Sequence, residues 1–410
     1  MMPLVLFVLL LFLYSAVSRR LERTVLTAPI FFTAAGILLS PALQRILADT
    51  LNSEIFLGIA EVGLVMLLFT DASRTDLNLL RSIRNLPARL LSIGLLLTIL
   101  LGAVVARLIF PNLSFWEAGI LGAILAPTDA GLGQIIVSSS RVPMRIRQAL
   151  NVEAGLNDGL SVPFLLFFIA LAAAGTIEGH ATHLSRFILQ QLGFGAVIGA
   201  VIGLTGGWLL GFVRRKGWMA ESFQQIGLVA LPLLCLAVSE MLGASMFIAA
   251  FVAGLAVQIG FKDAGKHSVE FADEWGQVLN LSVFFIFGLV VVRNWSQMRA
   301  VDWLYAVLSL TVVRMLPVAI ALIGTRLSGA SVIFMGWFGP RGLASIVLGL
   351  VYLERELHLP GESTIKQAVM GTVLLSIFVH GLSAMPGIGL YERKIESLGD
   401  AAPEHLGVKG

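Results

Sequence analysis

Leu121–Ile136 reads LGAILAPTDAGLGQII, and Val332–Leu350 reads VIFMGWFGPRGLASIVLGL. Both are apolar runs interrupted midway, the first at Ala126-Pro127-Thr128-Asp129-Ala130-Gly131 and the second at Gly339-Pro340-Arg341-Gly342. Proline removes a backbone donor and glycine loosens a helix, so each run is expected to unwind near the bilayer midplane and split into two half-helices. The plainer alternative is a pair of kinked, continuous helices, since proline is tolerated in membrane spans. A charge at each break favours unwinding. An acid suits the positive N-terminal end of a half-helix and a base the negative C-terminal end, and Asp129 and Arg341 suit those tasks.

The rest of the chain is apolar to match. Of its 410 residues 57% are hydrophobic and 13% charged, with a mean hydropathy of +0.90, far from the balance of soluble globular domains. Runs of about 20 apolar residues cross hydrocarbon as helices, because a helix satisfies its own backbone polar groups. The expected fold is an all-α polytopic membrane protein with about thirteen spans: 3–18, 24–40, 53–70, 88–110, 116–138, 146–174, 185–213, 222–239, 244–261, 276–292, 301–325, 329–352 and 364–388. The broken runs are then the fifth of spans 1 to 6 and the fifth of spans 8 to 13. Matching breaks in two halves are the mark of inverted repeats in a secondary transporter.

The basic residues give these spans a sidedness. Nineteen of the 28 Lys and Arg fall on one side and seven on the other, while Arg314 and Arg341 lie inside spans. The richer side is expected to be cytoplasmic and to hold the C-terminus. The first run, Leu4–Val17, has no preceding positive charge and is followed by Arg19 and Arg20, which reads as an uncleaved helix with its N-terminus outside. Residues 391–410 are expected to form a short cytoplasmic tail, too small for a nucleotide-binding domain. The net charge of +3 sits in short loops, where it sets topology; no nucleic-acid partner and no cofactor are expected.

Ionisable groups at membrane depth are costly and are functional candidates by default. The sixth span holds Asn151-Val152-Glu153-Ala154-Gly155-Leu156-Asn157-Asp158-Gly159. Glu153 and Asn157 share a helix face, whereas Asp158 is turned about 100° from Asn157. Desolvation favours a protonated carboxyl and a nearby monovalent cation favours the ionised one, so proton and cation compete for one site. That competition is antiport in its simplest form, and it is assigned to Asp158. Glu153 needs a counter-charge, and Arg314 is the remaining basic residue within a span, which makes Glu153–Arg314 an expected structural pair. The bland alternative for these charges is a misplaced span boundary that leaves them in water.

Other features have plainer readings. Asp71, Arg74 and Asp76 follow the third span and solvate a loop, although Thr70 and Asp71 could meet a cavity mouth. His380 reads as a hydrogen-bonded packing residue rather than a titrating one. Cys235 reads as a buried, inert thiol. Gly195, Gly199, Gly203, Gly207 and Gly211 stripe one face of the seventh span, for packing within the chain or, less plainly, for a dimer contact.

Together, Thr128-Asp129, Glu153 with Asn157-Asp158, Arg314 and Gly339-Pro340-Arg341-Gly342 resemble the NhaP/NHE-type branch of the monovalent cation/proton antiporters, in family order along the membrane part. The resemblance implies a homodimer in the cell membrane that exchanges Na⁺, or Li⁺ or K⁺, for H⁺. It implies crossed half-helices and a core domain, about 88–174 and 301–388, that moves like an elevator against a dimerisation scaffold, about 3–70 and 222–292, with 185–213 as linker. Asp158 would bind the transported ion, Thr128 and Asp129 would add oxygens, and Asn157 stands where electrogenic relatives carry a second aspartate, which implies electroneutral one-for-one exchange. Two positions depart from the family pattern: Ala154 where some members have serine, and Thr70-Asp71 in place of an acidic-glycine pair.

Two other classes share some of these features. A sodium-coupled organic-solute symporter also uses broken helices, but it would need a polar solute pocket. In an intramembrane aspartyl protease Asp129 and Asp158 would share a proton, leaving Arg341, Glu153 and Arg314 without a use.

Overall fold

The computed structural model describes residues 2–21, 24–50, 53–74, 86–174, 189–261, 267–354, 359–398 and 403–404. Among these residues the regular structure is helical throughout. The helices are α1 (Met2–Leu21), α2 (Ala28–Thr50), α3 (Ser53–Arg74), α4 (Pro87–Ile109), α5a (Phe115–Ile124), α5b (Ala130–Ser138), α6 (Met144–Ala174), α7 (Leu189–Arg215), α8 (Glu221–Leu242), α9 (Met246–Gly260), α10 (His267–Asn294), α11 (Ala300–Ala321), α12a (Gly329–Trp337), α12b (Leu343–Glu354) and α13 (Glu362–Glu396). Nine of the described helices are long and apolar enough to cross a membrane. With the shorter α2 and α9 and the two broken spans α5 and α12, they account for the thirteen segments read from the sequence. Asp76 and part of the expected tail lie outside the described residues.

Local chemistry sets where these helices begin and end. At the head of α5a the Ser114 hydroxyl accepts the Glu117 N–H at 3.2 Å and the Glu117 carboxylate accepts the Ser114 N–H at 2.8 Å, a capping box that satisfies two orphan donors. Ser245 and Ser328 cap α9 and α12a in the same way with one bond each. α8 stops at Gly243, whose φ of 64° is open to glycine at little cost. Several helices differ from their sequence reading; α2 continues to Thr50 and α10 begins at His267. α13 continues to Glu396, with Arg393 and Lys394 in its last turn favourably placed against the helix dipole. α11 is interrupted at Thr311, whose hydroxyl bonds back to the Val307 carbonyl at 2.6 Å, a local bond that bends helices.

The chain divides into two units. One comprises residues 1–57, 81–157 and 281–410. Within it α13 packs along the first half of α11 and along both halves of α5 and of α12. Small residues bring other backbones together: a Cβ on Gly122 would stand 2.5 Å from the Ile99 carbonyl of α4, and one on Gly36 would meet the Phe285 carbonyl of α10 at 2.1 Å. An apolar cluster that includes Ile136, Ile146, Met335, Phe334 and Tyr391 ties α5b, α6, α12a and α13 together, and the Phe334 and Tyr391 rings stack with centroids 4.1 Å apart.

The other unit comprises residues 58–80 and 158–280. Its tightest pair is α7 on α9. A Cβ on Gly199, Gly203, Gly207 or Gly211 would meet the carbonyl oxygen of Ala249, Ala253, Val257 or Gly260 at 2.2 to 2.5 Å. The glycine stripe is thus a helix contact within the chain, of the close kind that small residues permit. Cys235 is fully buried on α8.

Candidate functional site

Breaking α5 and α12 leaves four helix ends inside the first unit, and an end buried without a partner is costly. Three of them are paired across the junction, and the fourth, the end of α12a, is met by His380 of α13. Past the end of α5a the carbonyls of Ala126 and Pro127 both accept from Arg341 Nη1, at 2.7 and 2.9 Å. Arg341 is fully buried, and its positive charge lies where the α5a dipole is negative. At the head of α5b the Asp129 Oδ1 accepts the Leu132 N–H at 2.8 Å, a normal N-cap. The other oxygen, Oδ2, accepts the N–H of Leu343, the first residue of α12b, at 2.6 Å. One carboxylate therefore caps two half-helices that are distant in sequence. The Asp129 N–H completes the junction by donating to the Pro340 carbonyl at 2.8 Å.

The glycines of the second break make room for these charges. A Cβ on Gly342 would stand 2.1 Å from Asp129 Oδ2, and one on Gly339 would stand 2.2 Å from Arg314 Nε. Gly339 thus lies against the guanidinium of Arg314, which reaches the junction from the second half of α11. Arg314 donates from Nη1 and Nη2 to the two carboxylate oxygens of Glu153, at 2.6 and 2.9 Å, with both side chains 3% exposed. A planar fork on a carboxylate is the geometry in which a buried pair repays most of its desolvation.

One turn further along α6, Asn157 Nδ2 donates to Thr128 Oγ1 at 2.6 Å, which joins α6 to the first break. The other end of that amide, Oδ1, is buried and has no hydrogen-bond partner among the described residues. Asp158 comes next. It is 4% exposed, and the chain passes from the first unit to the second between these two residues. A narrow cleft runs beside the junction, lined by Thr128, Asp129, Asn151, Glu153, Ala154 and Pro340 among others.

Of the residues singled out in the sequence, Thr128, Asp129, Glu153, Asn157, Arg314 and Arg341 thus meet around one junction. Asp71 is near the end of α3, in the second unit. Sequence reasoning missed the spatial role of Gly339 and Gly342, which it read as loosening a helix, and it passed over Ser376 entirely. The Ser376 Oγ accepts the Arg341 N–H at 2.6 Å and lies 3.1 Å from Nδ1 of His380, whose Nε2 is 2.9 Å from the Trp337 carbonyl. The signal that was available is the spacing: Ser376 and His380 are four apart in an apolar span and so share a face.

Residues 6–387 match the family described as sodium/hydrogen exchanger, transmembrane. A probable Na⁺/H⁺ antiporter of Schizosaccharomyces pombe is 28% identical over 405 residues, 88% of this chain and 52% of that protein. A K⁺/H⁺ antiporter NhaP2 of Shewanella is 26% identical over 380 residues, 90% of this chain and 63% of its own length. The chain thus spans about half to two-thirds of the length of these two relatives. Among solved structures, the sodium proton antiporter MjNhaP1 of Methanocaldococcus jannaschii at pH 8 superposes with a TM-score of 0.71 at 22% identity, covering 93% of this chain and 99% of that one. At that identity the likeness speaks for the fold.

Proposed function

The chain belongs to the sodium/hydrogen exchanger family, a family of transmembrane transporters rather than proteases, and from that premise we propose that it is a secondary antiporter that exchanges a monovalent cation, Na⁺ in the first instance, for H⁺. The observation that carries the proposal is the buried junction where the two broken helices meet α6, with the leftover oxygen of Asn157 beside it. Arg341 is committed to two carbonyls, Asp129 to two N–H groups, and Glu153 and Arg314 to each other. Asp158 stands next to Asn157, whose Oδ1 is a buried oxygen left over from its bond to Thr128. We assign Asp158 as the carboxylate for which cation and proton compete. Thr128, Asp129 and Asn157 contribute oxygens around the transported ion, and Glu153, Arg314 and Arg341 hold the frame in which it binds.

With one competing carboxylate, each cycle carries one cation one way and one proton the other, and no net charge moves. The same reading places the protein in the cell membrane as a homodimer with its C-terminus inside. Its inverted repeats build a core of about 88–174 and 301–388 that moves elevator-fashion against the scaffold. The relatives named for Na⁺ and for K⁺ leave both cations as substrates to be tried, with Li⁺ beside them.

Proteoliposome exchange tests the reading. An imposed Na⁺, K⁺ or Li⁺ gradient drives proton movement in the wild type, and Asp158→Asn abolishes it; full activity in that variant would remove Asp158 from the role. A rate unaltered by a valinomycin-clamped membrane potential is the expected sign of one-for-one exchange, and a potential-sensitive rate contradicts it.

A further inference from the structure

The second break contains five residues, 338–342, without regular helix, yet it must hold the Arg341 guanidinium on α5a and the Leu343 N–H on Asp129 to within hydrogen-bond tolerance. Its own backbone supplies little of that rigidity. The Phe338 N–H still reaches the Phe334 carbonyl at 2.9 Å and the Gly339 N–H makes a short turn to the Trp337 carbonyl, also at 2.9 Å. Beyond that point the local ladder ends, and Gly339 and Gly342 add freedom to it.

What replaces the ladder comes from α13. We propose that His380 is a positioning residue for transport: with Ser376 it clamps the two sides of the α12 break, and so fixes the helix-end groups that shape the ion site. The donor directions follow from the partners. A carbonyl only accepts, so His380 Nε2 carries the hydrogen toward Trp337 at 2.9 Å. The imidazole Nδ1 lies 3.1 Å from both the hydroxyl and the carbonyl of Ser376; in the neutral ring it accepts the Ser376 O–H, and the Ser376 oxygen accepts the Arg341 N–H at 2.6 Å. Three hydrogen bonds run in one direction, from the Arg341 amide at the head of α12b to the last carbonyl of α12a. His380 and Ser376 are both buried, and the Trp337 indole packs on the imidazole with ring centroids 5.3 Å apart.

The assignment rests on the antiport reading for its transport readout, and it has a second readout that does not. In the full-length protein in detergent or lipid, His380→Ala is expected to speed amide hydrogen exchange over residues 337–343 at least tenfold, the scale set by loss of one or two buried hydrogen bonds. In proteoliposomes the same variant is expected to raise the half-saturating Na⁺ concentration about tenfold while the maximal rate per folded molecule changes less. His380→Gln, whose amide can still donate to the Trp337 carbonyl, is expected to recover most of both effects, and Ser376→Ala to reproduce part of them. If His380→Ala lowers only the folded yield, leaving exchange at 337–343 and half-saturation as in the wild type, the positioning role is wrong. Should His380→Ala fail to fold, Ser376→Ala and His380→Gln decide on the same two readouts, and wild-type values in Ser376→Ala overturn the clamp. A wild type that exchanges no monovalent cation would overturn the antiport reading instead, and the hydrogen-exchange comparison would still decide this one.

Discussion

Gly342 and Asp129 are in contact such that the glycine's missing side chain is where the aspartate's carboxylate sits: a Cβ there would fall 2.1 Å from Oδ2. The carboxylate can bridge the N–H of Leu132 and the N–H of Leu343 only because nothing stands between them. Steric space and helix capping are therefore one design feature at this junction.

Gly342→Ala is accordingly expected to be destabilising, by about 1–3 kcal/mol as for overpacking in a filled core, and to be worse than Gly329→Ala, where the added methyl meets nothing within 4 Å. Thermal unfolding followed by size-exclusion fluorescence checks the pair. Equal midpoints for the two variants would mean that the junction relaxes around the methyl.

Glu153 and Arg314 form a fork-to-carboxylate pair with both side chains 3% exposed. Removing one partner strands a buried charge, at a cost of about 3–5 kcal/mol. Glu153→Gln and Arg314→Met are each expected to lower stability strongly, and the double variant to lose much less than the sum of the two. Strictly additive losses in a double-mutant cycle would show that the two charges do not depend on each other.

These two predictions differ in how visible their residues are before folding. Glu153 and Arg314 stand out in the sequence as charges flanked by apolar residues, and a shortage of other partners inside the spans links them. The thirteen apolar segments and the Pro-Gly breaks are visible for the same reason, since a bilayer imposes length and backbone satisfaction on each segment separately. The second bond of Asp129, the fit of Gly339 against Arg314 and the bonds from Ser376 to Arg341 and from His380 to Trp337 are of another kind. They join segments far apart in the chain through contacts that neither hydropathy nor periodicity encodes. Glycine and serine in a membrane span are also common enough to read as filler.

The α7 stripe offers a graded test of backbone contact within the second unit. A Cβ on Gly203 would strike the Ala253 carbonyl oxygen at 2.5 Å, a backbone atom that cannot swing away, whereas one on Gly206 would meet the tip of the Leu231 side chain, also at 2.5 Å. Gly203→Ala is expected to cost about 1–3 kcal/mol through displaced helices. Gly206→Ala is expected to cost less, because leucine can change rotamer and alanine is the better helix former. The ranking of the two thermal midpoints is the measurement, and the reverse order would mean that α7 and α9 can slide apart.

Glu404 lies outside the spans and docks on the first turn of α12a. Its Oε1 accepts the Ser328 N–H and the Ser331 hydroxyl, each at 2.7 Å, while the neighbouring Pro403 carbonyl accepts from Arg145 at 2.7 Å. Burial opposes ionisation of Glu404, but the Ser328 N–H and the Ser331 and Ser328 hydroxyls together outweigh it and hold the carboxyl below its ordinary value. A carboxyl depressed in the folded state adds stability that is complete above its unfolded value, near 4.5, and that fades as the pH falls through the folded value. Glu404→Gln should therefore unfold at a lower temperature than the wild type at pH 7, and the gap should close as the pH is taken below 4.5. Comparing the two proteins at each pH cancels the other acid-sensitive groups, so a gap that stays constant into acid would mean that Glu404 acts through packing and not through its charge.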